Sequence, residues 1–183
     1  MAPGLPMPTA YVALGANLGN SADTVRAAIA RLREVSAGRL RVSSLWRTAP
    51  VDCPPGSPPF VNAVVGLLPR AGETPETLLA RLQALEREFG RQPKRLPNEP
   101  RPLDLDLIAF GAETRRTPGL TLPHPRAHLR RFVLQPLCEI APDLVLPGQT
   151  RSVKQLLAAL PPGETVERLP DSLPGAEAFD VGG

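Results

Sequence analysis

Apolar and polar residues alternate with a period of two over residues 101–110, which read Arg-Pro-Leu-Asp-Leu-Asp-Leu-Ile-Ala-Phe. Successive side chains of an extended strand point to opposite faces, so the alternation predicts a β-strand. One face is predicted to carry Leu103, Leu105, Leu107 and Ala109, and the other Asp104, Asp106, Ile108 and Phe110. Because both faces become apolar further along, we expect a central strand covered on each side rather than an edge strand. Two carboxylates then share one face.

Other segments carry the periodicities of further strands and of four helices. Strands are predicted over residues 10–14, 40–48 and 60–68, and a hairpin or meander with a Pro118-Gly119 turn over residues 111–121. Helices are predicted from Asn20 or Ser21 onward, from Thr74 to a stop at Gly90, over 132–140 with an interruption at Pro136, and over 153–160. This order of elements indicates an α+β fold, a ferredoxin-like sandwich with a mainly antiparallel sheet flanked by helices.

Length and composition favour one globular domain. The chain has 183 residues, of which 42% are apolar, enough for one sizeable core. We expect a flexible leader over residues 1–9, a single domain over 10–160 and a disordered acidic tail over 161–183, which lacks hydrophobic periodicity. The long connection over 49–59 is expected to be a lid or binding loop, and the proline-rich segment over 91–101 is expected to be a loop.

Charge is divided unevenly along the chain. Of 21 basic and 18 acidic residues, residues 161–183 hold one Arg and five acidic residues, so residues 1–160 carry 20 basic against 13 acidic. This basic part favours an anionic partner such as a nucleotide or a nucleic acid, although a modest positive charge also serves solubility.

The two cysteines and the N-terminus indicate a cytoplasmic protein. Cys53 and Cys138 form neither a C-x-x-C pair nor a zinc spacing, and are expected to be free thiols in a reducing compartment. The N-terminal residues lack the basic and apolar regions of a signal peptide, and no apolar run has the length of a membrane span. We therefore expect no membrane association.

The paired aspartates are the first candidate for chemistry. Asp104 and Asp106 repel each other when both are charged and partly buried, so a cation is expected between them. Oxygen ligands without neighbouring His or Cys suit Mg²⁺, which takes one or two carboxylates and completes its shell with water and substrate phosphates. A solvated strand end is the alternative explanation, since D-x-D is a common tripeptide.

Cationic residues on both sides of the aspartates favour a metal–phosphate site. Four cations lie in the loop over residues 91–101, and His124 begins a second cationic cluster that continues to Arg131. Arginine binds phosphate through two parallel hydrogen bonds. His124 and His128 have the spacing of a helical zinc pair, but Pro125 disfavours a helix through both. A solvated basic loop stays an alternative.

Several longer motifs occur in one order between residues 10 and 160. They are Gly15-Ala-Asn-Leu-Gly19, Ser44-Leu-Trp-Arg-Thr48, Phe60-Val-Asn62, Gly90-Arg91, Pro100-Arg-Pro-Leu-Asp-Leu-Asp-Leu107, Pro123-His124 and Arg130-Arg-Phe132. In these motifs the chain resembles 6-hydroxymethyl-7,8-dihydropterin pyrophosphokinase, the folate-pathway enzyme. The resemblance implies transfer of pyrophosphate from ATP to the hydroxymethyl group of the pterin, with release of AMP.

The resemblance also implies roles for individual residues. Two Mg²⁺ ions would be held by Asp104 and Asp106, and the mobile-loop arginines would be Arg91 and Arg101. The nucleotide would contact Gln83, Glu86, Thr121, His124 and Arg130. The pterin would lie between the rings of Phe60 and Phe132, an offset-stacking slot, with hydrogen bonds from Thr48 and Asn62. ATP and the pterin are the expected partners, with no nucleic acid, and a monomer is expected.

The chain departs from the common pattern of that family at a few positions. Ala16 stands where many members have Ser, Phe60 where a Tyr is frequent, Pro93 where a loop Arg is common, and Asn98 where many have a Trp. Ala16 lacks the hydroxyl of Ser and Phe60 keeps the aromatic ring, whereas Pro93 and Asn98 bear on how the loop that contains them closes.

Two other classes of protein are compatible with parts of the sequence. A basic α+β module could bind RNA through its sheet, although the aromatic residues are scattered rather than paired on one sheet face. A metal-dependent phosphohydrolase could use similar carboxylates. The products formed from ATP and the pterin alcohol distinguish these classes.

Overall fold

The computed structural model describes residues 8–49, 56, 58–90 and 102–170. The fold is α+β, as predicted, with a mainly antiparallel sheet and four α-helices among these residues. The strands are β1 (Ala10–Ala16), β2 (Arg41–Val42), β3 (Trp46–Thr48), β4 (Phe60–Leu67), β5 (Asp104–Phe110), β6 (Arg115–Thr117), β7 (Leu120–Leu122) and β8 (Val166–Arg168). The helices are α1 (Ser21–Val35), α2 (Pro75–Glu88), α3 (Arg131–Ile140) and α4 (Val153–Ala159), with a 3₁₀ turn at Ala127–Leu129.

Local capping explains why the first two helices begin where the sequence predicts. The Asn20 side chain accepts a hydrogen bond from the backbone N–H of Asp23 at 3.3 Å, which satisfies an otherwise unpaired donor of α1. Thr74 forms a capping box with Thr77, and Pro75 occupies the first turn of α2. Helix α3 differs from the prediction because it continues through Pro136.

The main sheet separates two apolar clusters. Its strands lie in the order β5-β1-β4-β3-β8, with β2 also paired to β4, and every pair is antiparallel. Helices α1 and α2 bury their apolar stripes on one face, which we call the α1/α2 face. Helices α3 and α4 cover the other, the α3 face. Alternation along each strand therefore decides which side chains meet which pair of helices.

The predicted central position of β5 is wrong, because β5 lies at the end of this strand order. Two of its outward backbone groups nevertheless form hydrogen bonds with other parts of the chain. The backbone N–H of Leu105 donates to the Glu86 carboxylate of α2 at 2.8 Å, and the carbonyl of Ile108 accepts the N–H of His124 at 2.8 Å. The strand is nevertheless apolar on both faces, because α1 and α2 pack on one face of the sheet and α3 and α4 on the other.

The predicted alternation along β5 holds only for its first part. Tyr11 of β1 pairs with Ala109 and Val12 pairs with Leu107, so Ile108 is an extra residue in the ladder. Beyond this bulge the faces are exchanged. Ala109 packs with Ile108 in the cluster of the α3 face, and Phe110 packs with the leucines in the cluster of the α1/α2 face.

The single strand predicted over residues 40–48 is interrupted. Val42 pairs with Val65 and Trp46 with Asn62, so three residues, 43–45, lie opposite two on β4. We call this segment the 43–45 bulge. The Ser43 hydroxyl accepts a hydrogen bond from the backbone N–H of Val64 at 2.9 Å, in place of a backbone carbonyl of the neighbouring strand. Because of the extra residue, Trp46 and Thr48 of β3 lie on the α3 face, whereas Val42 of β2 lies on the α1/α2 face.

The C-terminal part of the described chain also differs from the prediction. Residues 166–168, expected within a disordered tail, form β8 and pair with β3. The hairpin with its Pro118-Gly119 turn is confirmed by the pairing of β6 with β7. No helix among the described residues has the length and apolar character needed to cross a membrane.

Several predictions concern residues outside the described ranges. These are most of the leader, the end of the tail after residue 170, most of the loop over 49–59, and the loop that contains Arg91 and Arg101.

Removing the Glu86 carboxylate is expected to destabilise the fold. Glu86 is 7% exposed and accepts the N–H of buried Leu105. In Glu86→Ala this donor loses its partner, which should lower the free energy of unfolding by about 1–3 kcal/mol in urea denaturation. Glu86→Gln keeps an acceptor oxygen and should lose less. An alanine variant as stable as the unsubstituted protein would contradict this role.

Candidate active site

One row of paired residues brings the candidate residues onto the same face of the sheet. Gly15 of β1 pairs with Asp104 on β5 and with Asn62 on β4, and Asn62 pairs in turn with Trp46. Residues directly opposite each other in antiparallel strands share a face. At about 4.8 Å per strand, the backbones at Asp104 and Asn62 are separated by roughly 10 Å across Gly15. The row lies on the α3 face.

Gly15 leaves room between the carboxylates and Asn62. A Cβ atom at this position would lie 3.0 Å from Nδ2 of Asn62 and 3.9 Å from Cδ1 of Phe60. The first distance is shorter than ordinary van der Waals contact, so even alanine would require Asn62 to shift. The sequence analysis ended β1 at Leu14, whereas the strand continues to Ala16. A glycine inside a strand is itself a signal of close approach.

Asp104 and Asp106 share the α3 face, as predicted. They pair with Gly15 and Ala13, and no bulge separates them. Both are half-buried. Among the described residues, no group of three or more His, Cys, Asp or Glu side chains could hold a metal ion. A pair of carboxylates fits Mg²⁺, which takes its remaining ligands from water and phosphate, better than zinc, which needs three or four protein ligands.

A cleft of about 260 Å³ lies beside the second carboxylate. Its lining includes Asp106, Thr121, His124 and Pro125. The turn after β7 is fixed to β5 by the hydrogen bond from the N–H of His124 to the carbonyl of Ile108. The covered edge of β5 therefore brings His124 and Thr121 next to the carboxylates, although they follow them by more than a dozen residues in the sequence.

The imidazole of His124 is held in one tautomer when it is neutral. Its Nδ1 accepts the backbone N–H of Arg126 at 3.1 Å, which leaves the proton on Nε2. Burial lowers the pKa of His124 below its ordinary value, the positive charges of Arg130 and Arg126 lower it further, and the charge of Asp104 acts in the opposite direction. A neutral His124 is thus a hydrogen-bond donor through Nε2.

This lowered pKa predicts how stability depends on pH. Because the unfolded chain takes up a proton at His124 more readily than the folded one, stability is lost as the pH falls below the ordinary value of 6.5 toward the folded pKa. We expect the thermal midpoint to fall more in the unsubstituted protein than in His124→Ala between pH 7.5 and about 5. Parallel curves for the two proteins would contradict this expectation.

A second group of candidates lies on β3 and β4. The buried Thr48 hydroxyl donates to Oδ1 of Asn62 at 2.9 Å, and Nδ2 of Asn62 donates to the carbonyl of Leu14 at 3.5 Å. These bonds orient the amide. Each amide atom keeps capacity for one more hydrogen bond, because Oδ1 has a second lone pair and Nδ2 a second hydrogen. The arrangement suits a planar ligand edge with an adjacent donor and acceptor.

The two aromatic candidates lie on elements of the same face. Phe60 begins β4 directly opposite Thr48, and Phe132 lies in the first turn of α3. Both side chains are half-buried. The guanidinium of Arg130 lies 5.4 Å from the centre of the Phe132 ring, within cation–π range. This contact joins Arg130, a candidate for phosphate binding, to Phe132, a candidate for stacking on the pterin.

The α2 candidates have different surroundings. Glu86 is buried against the backbone of β5, so its carboxylate supports the strand that carries the aspartates. Gln83 is exposed, one turn earlier on the same helix. The sequence analysis grouped Gln83 and Glu86 together and missed the capping role of Glu86, because an N–H at a strand edge has no sequence signature.

Comparison with known proteins identifies a related family. Residues 11–142 match the sequence model described as 7,8-dihydro-6-hydroxymethylpterin-pyrophosphokinase (HPPK). A 2-amino-4-hydroxy-6-hydroxymethyldihydropteridine pyrophosphokinase from Pseudomonas aeruginosa is 42% identical over 87% of this chain and 96% of its own length. The protein of the same description from Haemophilus influenzae is 40% identical over 81% of this chain and 93% of its own length.

Solved structures with the same fold include a larger protein from a parasite. The wild-type HPPK-DHPS of Plasmodium falciparum with pteroate has a TM-score of 0.65 and 13% sequence identity, covering 86% of this chain and 43% of that chain. At this identity the likeness concerns the fold.

Proposed function

The chain belongs to the 7,8-dihydro-6-hydroxymethylpterin-pyrophosphokinase family, and we propose that the residues of its α3 face bind ATP and the pterin for that reaction. The activity is pyrophosphoryl transfer to 6-hydroxymethyl-7,8-dihydropterin in folate biosynthesis. The observation that supports the site best is the row Asp104–Gly15–Asn62. It places a carboxylate and an amide on the same face of the sheet, and Gly15 between them has no side chain to fill the space.

The reaction determines what the site has to do. The hydroxymethyl oxygen attacks the β-phosphorus of ATP and loses its proton to solvent as the new O–P bond forms. The bond from the β-phosphorus to the oxygen shared with the α-phosphorus breaks, and AMP leaves with that oxygen. Such a transfer needs alignment of nucleophile and phosphorus together with stabilisation of the phosphate charge. The separation of roughly 10 Å between the Asp104 and Asn62 backbones gives space for a ligand at each end of the row.

Asp104 and Asp106 would hold two Mg²⁺ ions together with the triphosphate. Bound Mg²⁺ neutralises phosphate charge and fixes the orientation of the reacting groups. The donor set supports this assignment, because two half-buried carboxylates on one face leave the other ligand positions to water and phosphate oxygens.

His124 and Arg130 would contact the phosphates from the other side of the site. A neutral His124 offers its Nε2 hydrogen to a phosphate oxygen, and Arg130 offers a planar guanidinium that matches phosphate geometry. Thr121 lines the same cleft as Asp106 and His124 and would contact the nucleotide. Gln83 and Glu86 are proposed for the nucleotide side on the resemblance alone.

Asn62 and Thr48 would hold the pterin by its edge. The pyrimidine ring of a pterin presents a ring N–H next to a carbonyl, which complements the remaining lone pair and hydrogen of the Asn62 amide. Phe60 and Phe132 would stack on the ring faces. The single space left by Gly15 then lies between the pterin and the phosphates.

The resemblance extends the proposal to parts of the chain outside the described ranges. Arg91 and Arg101 would act from a mobile loop on the triphosphate, and the ferredoxin-like arrangement with long closing loops is proposed for the complete domain. A monomer is proposed because the exposed large apolar side chains of the described residues, Leu18, Leu129 and Val145, lie on separate elements.

Product analysis tests the reaction directly. The protein is incubated with ATP, Mg²⁺ and 6-hydroxymethyl-7,8-dihydropterin, and the nucleotides and pterins are separated by chromatography. AMP and the pterin diphosphate in equal amounts are expected. ADP or free phosphate would indicate a phosphohydrolase or another phosphotransferase, and no turnover together with tight RNA binding would indicate an RNA-binding module.

A further inference from the structure

The Glu139 carboxylate of α3 accepts three hydrogen bonds, two from Ser44 of the 43–45 bulge and one from Trp46 of β3. Its Oε1 accepts the backbone N–H of Ser44 at 3.0 Å and the indole N–H of Trp46 at 2.7 Å. Its Oε2 accepts the Ser44 hydroxyl at 2.8 Å. Hydrogen bonds to a charged acceptor are about twice as strong as those between neutral groups. The carboxylate therefore attaches the helix to this short segment at a defined place.

The bulge to which Glu139 is bound decides where Thr48 points. With the extra residue, β3 pairs so that Thr48 lies opposite Phe60, and its hydroxyl reaches Asn62. Without that residue the register of β3 would shift by one, and the side chains of Trp46 and Thr48 would point to the α1/α2 face. The position of Thr48 beside Asn62 thus depends on the bulge being kept.

The helix that carries Glu139 also carries the second ring of the proposed pterin slot. Phe132 lies seven residues before Glu139, two turns away and about 10 Å along the helix axis. Glu139 is therefore a polar link between the strand that holds Thr48 and the helix that holds Phe132.

We propose that Glu139 is a positioning residue for pterin binding, which sets α3 against the 43–45 bulge so that Thr48, Asn62 and Phe132 form one slot. The inference rests on the proposed pterin site. Because Glu139 lies at the protein surface, water can replace part of what it supplies, and a moderate effect confined to the pterin is expected.

The test compares three variants with the unsubstituted protein by titration calorimetry. Glu139→Ala should raise the Kd of 6-hydroxymethylpterin roughly tenfold and leave the Kd of an α,β-methylene ATP analogue with Mg²⁺ within about twofold. Glu139→Gln keeps an acceptor oxygen and should recover part of the loss. Glu167→Ala is the matched control, since it removes a β8 carboxylate that contacts Arg47. Arg47 points to the α1/α2 face, whereas Trp46 and Thr48 point to the α3 face.

Trp46 provides a local signal that does not depend on the pterin. It is the single tryptophan of the chain, and its indole N–H donates to Glu139. Its fluorescence emission should shift in Glu139→Ala and stay unchanged in Glu167→Ala. If the alanine variant does not fold, the glutamine variant still has to show a selective, smaller loss of pterin affinity.

Several results would overturn the inference. One is an unchanged pterin Kd in both Glu139 variants, and another is an equal loss of affinity for the pterin and for the ATP analogue. A third is an unchanged pterin Kd in Glu139→Gln if Glu139→Ala does not fold. Asn62→Ala in the same titration separates the two levels of the proposal. If Asn62→Ala binds the pterin with normal affinity, the proposed slot itself is wrong. If Asn62→Ala loses pterin affinity while both Glu139 variants bind normally, only the positioning role of Glu139 is rejected.

Discussion

Replacing Asp104 or Asp106 by Asn is expected to lower kcat by about a thousandfold or more, with the fold retained. Both side chains project to the face that Gly15 leaves open, and both are half-buried. Asn keeps the shape of the side chain but removes the charge that would hold Mg²⁺ with ATP. Metal ions contribute several kcal/mol to stabilising developing charge, and each 1.4 kcal/mol is about tenfold in rate.

The stability of these variants should change little or rise. Asn has the size of Asp and still accepts hydrogen bonds through its amide oxygen, and the substitution removes the charge repulsion between the two side chains. Steady-state assays with saturating substrates, together with urea denaturation, measure both effects. Asp143→Asn, at an exposed position after α3, is the matched control and should keep full activity. Activity within a few-fold of the control in either aspartate variant would contradict the metal assignment.

Replacing Asn62 by Ala is expected to raise the Kd of the pterin by about a hundredfold while ATP binding is retained. The Asn62 amide is oriented by the Thr48 hydroxyl at 2.9 Å and keeps one donor and one acceptor position for a ligand. Removing it leaves both the pterin edge and the Thr48 hydroxyl without a partner. A site that binds its ligand by hydrogen bonds loses far more affinity when one hydrogen-bonding group is removed than an apolar pocket loses when one apolar group is removed.

A neighbouring residue provides the control for this prediction. Val61 lies next to Asn62 on β4, but its side chain packs in the cluster of the α1/α2 face. Val61→Ala should therefore lower stability and keep pterin affinity, the reverse of what is expected for Asn62→Ala. Calorimetric titration with 6-hydroxymethylpterin and thermal unfolding measure the two properties. Similar pterin affinities in both variants would place the pterin elsewhere.

The features that the sequence predicts well are those determined by local chemistry. The helix that starts at Ser21 follows from the capping side chain of Asn20, and α2 follows from Thr74 and Pro75. The shared face of Asp104 and Asp106 follows from a period of two within a few residues. The motifs from Gly15 to Phe132 indicated the family, which the comparisons confirm.

The features that the sequence does not predict depend on distant pairing. The edge position of β5 results from the order in which the strands pair, and its sequence resembles that of a central strand because helices cover both of its faces. Neither Ile108 nor the 43–45 bulge has a composition that marks an extra residue. Their effect is nevertheless large, since each exchanges the faces of all residues that follow in the strand.

The central claim is that Asp104 and Asp106 together hold divalent ions with the triphosphate. Electron paramagnetic resonance of Mn²⁺, titrated into protein saturated with the α,β-methylene ATP analogue, gives the number of bound ions from the loss of the free-Mn²⁺ signal relative to the analogue alone. We expect two bound Mn²⁺ per chain in the unsubstituted protein and a loss of bound ions in Asp104→Asn and Asp106→Asn, with Asp143→Asn unchanged. The same number of bound ions in all of these proteins would contradict the claim.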